Sequence, residues 1–94
     1  MVKIHGNYCG PNWTAGQPKP ASMIDSLPYV APRDALDAAC LQHDRDCSKG
    51  GCSAKGDTQL RNKALMIALT NPTLRPVALL VAASMSVTAP RRDR

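Results

Sequence analysis

The chain has no phenylalanine, one tryptophan and two tyrosines among its 94 residues. A core without large rings must be built from Leu, Ala, Val, Ile and Met, and at this length one domain is expected. Such a core is thin, so covalent or metal staples are expected. Long apolar runs are missing as well. The longest, Val77 to Val87, is about half of the ~20 residues needed to span a bilayer, so no transmembrane helix is expected. Met1 to Asn7 contains no apolar stretch of the signal-peptide kind, which suggests a mature domain or one delivered by a larger assembly. Acidic residues are the minority: seven Asp and Glu against twelve Lys and Arg give a formal charge of +5. That balance favours anionic partners, nucleic acid or acidic lipid surfaces. The basic residues form no long block. Arg91, Arg92 and Arg94 make the one run, which reads as a solvated tail.

What is present is organised unevenly. Residues 1–32 hold five of the eight prolines and three of the six glycines, and read as an irregular, surface-covering loop. From Pro32 the composition changes. Leu36, Ala39, Cys40, His43 and Cys47 recur at helical spacing, predicting a helix that starts near Pro32 to Asp34 and stops at Lys49-Gly50-Gly51. A second helix is predicted from about Ser53, an N-cap, to Thr70, with Asp57, Leu60, Ala64 and Ile67 or Ala68 on one face. The short turn between the two predicts antiparallel packing. A third helix is predicted from Thr73 to about Thr88, with Pro76 tolerated in its first turn. The expected fold is therefore all-α, a single domain over 1–94, with a loop region 1–32, a helical core 33–90 and a basic tail 91–94. Four cysteines in so short a chain read as two disulfides or as metal ligands.

The first helix puts an imidazole, His43, on its inward stripe, and the second puts a carboxylate, Asp57, on its own. A buried carboxylate costs several kcal/mol unless it is paired, and an imidazole N–H facing it is one solution. That contact would fix the ring tautomer and leave the other nitrogen to take a proton from water, which is what a general base requires. Asp44 follows His43 about 100° further round the helix, so adjacent side chains can serve different partners at one site. A carboxylate beside a loop with exposed carbonyls suits Ca²⁺, which takes oxygen ligands, many of them backbone. In the Gly/Pro loop Tyr8-Cys9-Gly10-Pro11-Asn12, the alternate carbonyls of Tyr8, Gly10 and Asn12 could turn to one side.

Taken together, these residues resemble a family. Tyr8-Cys9-Gly10-Pro11-Asn12 is similar to the calcium loop of the secreted phospholipase A2 superfamily, Tyr-Cys-Gly-x-Gly or, in viral members, Tyr-Leu-Gly-Pro-x-Asn. Asp34, Asp37, Cys40, His43 and Asp44, in Asp-x-x-Asp-x-x-Cys-x-x-His-Asp, are similar to its active-site helix. Lys55 to Leu60 resembles the later helix that supplies the aspartate partner of the histidine, and the likeness runs over roughly residues 6–69. The resemblance implies calcium-dependent hydrolysis of the sn-2 ester of membrane glycerophospholipids, with Ca²⁺ as cofactor and a secreted, extracellular or virion-delivered protein. His43 would be the general base and Asp57 would orient it. Asp44 and the carbonyls of Tyr8, Gly10 and Asn12 would hold the metal, and the Gly10 amide would help to stabilise the oxyanion. Cys9 and Cys40 match the half-cystines that tie loop to helix in that family. There are departures. Cys47 stands where the family more often has a tyrosine supporting the aspartate, and Cys52 across a tight turn is its natural partner here. The N-terminal helix and the β-hairpin of the family have no counterpart, and the link from Asn12 to Arg33 is longer than usual.

Trp13, Met23, Ile24, Leu27, Tyr29 and Val30, with Lys19 and Arg33 nearby, would suit the rim of a membrane interface, an anionic phospholipid surface being the expected partner and nucleic acid not. They would equally serve as the lid of a small core. Competing readings remain: a structural zinc module drawing on His5, Cys9, Cys40, His43, Cys47 and Cys52, or a catalytically inactive helical module that binds lipid or nucleic acid.

Overall fold

The computed structural model describes residues 3–92; Met1, Val2, Asp93 and Arg94, the last two being the end of the expected basic tail, lie outside the described residues. Three α-helices dominate it: α1 over Ala35–Ser48, α2 over Ala54–Thr70 and α3 over Arg75–Arg92. The region before α1 is irregular, as its prolines and glycines require, but it contains one 3₁₀ turn over Ala21–Ser26 that packs on α1. There is no strand among the described residues, only isolated antiparallel bridges at His5–Cys9 and Thr14–Gln17.

Each helix begins and ends on local chemistry. Asp34 caps α1 by accepting the Asp37 amide, and Ser53 caps α2 by accepting the Gly56 amide. Gly50 and Gly51 follow α1 with φ of 105° and 97°, a conformation that side chains resist, so the helix cannot continue through them. Asn71 Oδ1 accepts the Leu74 amide at the entry to α3, and Arg75 Nε donates to the Ala68 carbonyl, fastening the end of α2 to the start of α3. The third helix differs from its predicted Thr73–Thr88: it starts two residues later and runs four further, so Arg91 and Arg92 belong to it and not to a tail. Pro90 is inside it, but in the last turn a proline forfeits only one amide donor.

The helices meet on small and aliphatic side chains: Leu36, Ala39, Cys40 and Leu41 of α1, Leu60, Ala64 and Ala68 of α2, Ala78, Val81 and Ala82 of α3. α2 packs most extensively on α3, and α1 on α2. Burial of a Leu such as Leu36, 0% exposed, stabilises by roughly 1.5–3 kcal/mol, and few residues here bury that much surface. Two covalent bridges add to it. Cys9–Cys40 bridges the N-terminal loop to α1 and Cys47–Cys52 closes the turn after it. No free cysteine remains, a state suited to an oxidising environment. Among the described residues no helix is long and apolar enough to cross a membrane.

Candidate active site

α1 presents His43 and Asp44 toward a cavity of about 540 Å³, which the loop residues Tyr8, Gly10 and Asn12 line from the other side. The two segments are held together by one carboxylate. Asp37, completely buried, accepts the amides of Asn7 at 3.1 and 3.0 Å, of Tyr8 at 2.9 Å and of Arg33 at 2.8 Å. It sits six residues before His43 on the same helix, so the loop's approach to His43 and Asp44 is set by α1 itself. The Cys9–Cys40 bridge adds a covalent tie one residue from Tyr8 and from Gly10. Burial pushes the Tyr8 phenol upward against the pull of the Val30 carbonyl, and the hydroxyl donates to that carbonyl, pinning the loop to the segment before α1.

His43 is fixed by α2. Its Nε2 is 2.6 Å from Asp57 Oδ1, and Asp57 is completely buried in the first turn of α2, where exposed amide ends favour a negative charge. Thr88 of α3 donates to the other oxygen, Asp57 Oδ2, at 2.8 Å. With Nε2 engaged, Nδ1 is the ring nitrogen that Asp57 does not hold; it lies 4.0 Å from Asp44 Oδ1 and 4.0 Å from the disulfide sulfur of Cys47.

Asp44 is different in kind. It is 7% exposed, and burial pushes its carboxyl up to about 7, with the neighbouring Thr14 hydroxyl opposing the rise and the Asp37 charge adding to it. The Thr14 contact falls short of hydrogen-bond geometry: Asp44 Oδ2 and Thr14 Oγ1 are both buried without a partner among the described residues. Some carbonyls of the loop are engaged and others are not. Asn7 O accepts from the Gly16 amide, and Cys9 O from the amides of Ile4 and His5. Among the described residues no donor reaches the carbonyls of Tyr8, Gly10, Pro11 or Asn12. Gly10, with φ of 143°, and Asn12, with φ of 53°, both take positive-φ backbone in this turn.

The zinc reading loses its ligands, since Cys9, Cys40, Cys47 and Cys52 are all consumed in disulfides. Among the described residues no group of three or more His, Cys, Asp or Glu side chains is placed to hold a metal. His5 is engaged elsewhere: its Nε2 is 2.6 Å from Asp34 Oδ2 at the head of α1. Burial raises the Asp34 carboxyl, but the Asp37 amide and His5 outweigh it, and the net shift is downward.

The proposed lipid rim is partly corrected. Ile24 is 8% exposed and belongs to the core, with Leu27 and Val30 packed against it, because the 3₁₀ turn lays that face on α1. Trp13 is half-buried, its indole N–H donating to the Gly6 carbonyl at 3.1 Å. Met23 and Tyr29 are the members of the set that stand outward, Tyr29 at 67% exposure. Sequence reasoning missed Thr88, Thr14 and Gly6. Thr88 had a signal: with Val81 and Met85 it extends the inward stripe of α3 at i, i+4 and i+7, a polar residue ending an apolar row. Comparison of the chain with family models, with curated proteins and with solved structures gives no match.

Proposed function

We propose that the protein is a calcium-dependent phospholipase A2-like ester hydrolase, in which α1 and α2 are an antiparallel catalytic pair acting on membrane glycerophospholipids. One observation carries the reading. A buried carboxylate oxygen without a partner, the loop residues Tyr8, Gly10 and Asn12 whose carbonyls meet no donor among the described residues, and an imidazole held by a buried aspartate all belong to the lining or wall of one cavity.

The oxygen set fits a hard cation. A carboxylate left unpaired in the interior costs several kcal/mol, and an ion held by Asp44 and the carbonyls of Tyr8, Gly10 and Asn12 would remove that cost. With one carboxylate, affinity would be weak, on the order of 10⁻⁴ to 10⁻³ M, the range of extracellular calcium modules. Ca²⁺ bound there would supply Lewis-acid polarisation of the ester carbonyl. The side chains account for the proton steps. His43 Nδ1 accepts a proton from water as the oxygen attacks the carbonyl carbon, and Asp57 stabilises the imidazolium through Nε2–H. The Gly10 amide donates to the carbonyl oxygen as it gains charge. When the ester C–O bond breaks, His43 returns the proton to the departing glycerol oxygen, giving a fatty acid and a lysophospholipid. The apolar wall of Ile4, Leu60, Val81 and Met85 offers room for an acyl chain.

The deciding experiment is fatty-acid release from phospholipid vesicles with Ca²⁺ and then with EGTA. Release that stops with the chelator is expected. No release at any calcium concentration, from a folded protein, would remove the hydrolase reading and leave a lipid-binding module.

A further inference from the structure

Hydroxyls inside helices usually fold back onto their own backbone. Thr70, Ser84 and Ser86 do so here, each donating to the carbonyl four residues before it at 2.9 Å. Thr88 has a shorter alternative. Its contact to the Met85 carbonyl is long, at 3.5 Å, whereas Asp57 Oδ2 is 2.8 Å away on another helix, 31 residues distant in sequence. By distance the carboxylate is the better acceptor for the hydroxyl.

That carboxylate is where the three helices join: α2 supplies it, α1 supplies the imidazole on Oδ1, and α3 supplies the hydroxyl on Oδ2. Asp57 is 0% exposed. Rotation about its last side-chain bond would swing Oδ1 off the ring, and a donor on Oδ2 opposes that rotation. A charge-assisted hydrogen bond also favours the ionised form, which the imidazolium needs opposite it. Thr88 borders the same cavity as His43, beside Val81, Ser84 and Met85 of the same helix, and is the α3 residue that hydrogen-bonds to Asp57.

We infer that Thr88 is a positioning residue, which through Asp57 holds the His43 ring in the tautomer and orientation that leave Nδ1 free to take a proton. The inference rests on the hydrolase reading for its kinetic consequence but not for its structural one, and the test separates the two. Thr88→Val keeps the side-chain shape and removes the donor; Thr88→Ser keeps the donor and removes a methyl. Both are made in the full chain and assayed for kcat and KM on anionic phospholipid vesicles in excess Ca²⁺. In parallel, imidazole ¹⁵N shifts at one alkaline pH report which ring nitrogen carries the proton, with His5, the other histidine, as internal reference.

The expected result for Thr88→Val is a kcat lower by roughly tenfold or more, the size of one lost hydrogen bond to a charged group, with KM changed less than about twofold. The His43 proton, held on Nε2 in the wild type, becomes shared between the two nitrogens, and Thr88→Ser restores both readouts. A ring proton distribution in Thr88→Val equal to that of the wild type overturns the inference. So does a defect that Thr88→Ser fails to repair, since that would be packing. If the wild type hydrolyses nothing, the function proposal falls and the ring spectra still decide the role of Thr88.

Discussion

Gly6 lies against the carboxylate of Asp37 so closely that a β-carbon at Gly6 would stand 2.5 Å from Asp37 Cγ and Oδ2. The glycine also has φ of +59°. The contact is a consequence of how the loop is held: Asp37 collects the next two amides of the chain, Asn7 and Tyr8, and the backbone must pass directly over it to deliver them. Two independent costs therefore fall on Gly6→Ala, the left-handed backbone and the displaced carboxylate. Together they should destabilise the fold by about 2–4 kcal/mol in urea unfolding. Gly51→Ala is the control. Gly51 has φ of 97° and nothing within 4 Å of a β-carbon, so it carries only the first cost. Equal losses at the two positions would mean that Asp37 does not clamp the loop.

The two disulfides should separate in the same kind of measurement. Cys9–Cys40 closes a span of 31 residues and Cys47–Cys52 one of five. By the chain-entropy argument their loss costs roughly 4 and roughly 2 kcal/mol respectively. Replacing Cys9 and Cys40 by Ser should also weaken the calcium response, because the bridge flanks the loop that carries the carbonyls. Replacing Cys47 and Cys52 should leave calcium binding in place. Thiol titration of the native protein should find no reactive thiol; free thiols at native strength would revive the metal-thiolate alternative.

His43→Gln retains an amide N–H for Asp57 and removes the proton acceptor. Hydrolysis should fall by roughly a hundredfold to ten-thousandfold, the usual worth of a general base, while thermal unfolding and calcium binding stay near the wild type. Full activity in this variant would take the ring out of the chemistry.

The parts of this arrangement that a sequence can express are those with local causes. The start of α1 follows from Asp34 and that of α2 from Ser53, each accepting an amide three residues on, and the end of α1 follows from Gly50-Gly51. His43, Asp44 and Asp57 were marked by lying on or beside inward stripes. What was hidden depends on distant partners. Asp37 was visible as part of a motif, but its grip on the Asn7, Tyr8 and Arg33 amides was not. The spacing of α3 places Thr88 on the inward stripe, but not the acceptor it meets 31 residues away. Ile24 was left open between a membrane rim and a lid on the core, because the 3₁₀ turn that buries it is too short to leave a periodic signature. The extension of α3 past Thr88 runs through Pro90, which is tolerable in a last turn.

Asp44 gives the metal proposal a test that needs no substrate. In the calcium-free protein burial holds its carboxyl up to about 7, against an ordinary value of 3.8 in the unfolded chain. Between those values the folded state binds more protons than the unfolded one, so stability must fall as pH rises from about 4 through about 7. The full difference is on the order of 4 kcal/mol, reached above pH 7. Asp34 works in the opposite sense, since its carboxyl is held low; its contribution is present above the ordinary carboxylate range and is lost as pH falls below it. The two can be separated by substitution. Asp44→Asn should flatten the decline between pH 4 and 7 and make the calcium-free protein more stable at pH 8. It should also abolish stabilisation by added Ca²⁺, because an ion that binds only the folded state raises its stability as ligand accumulates above Kd. Thermal unfolding at pH 5 and 8, with millimolar Ca²⁺ and with EGTA, reads all of these. A wild-type protein whose unfolding temperature ignores calcium at pH 8, or an Asp44→Asn variant that still responds to it, would place the ion somewhere other than between this carboxylate and the Tyr8, Gly10 and Asn12 carbonyls.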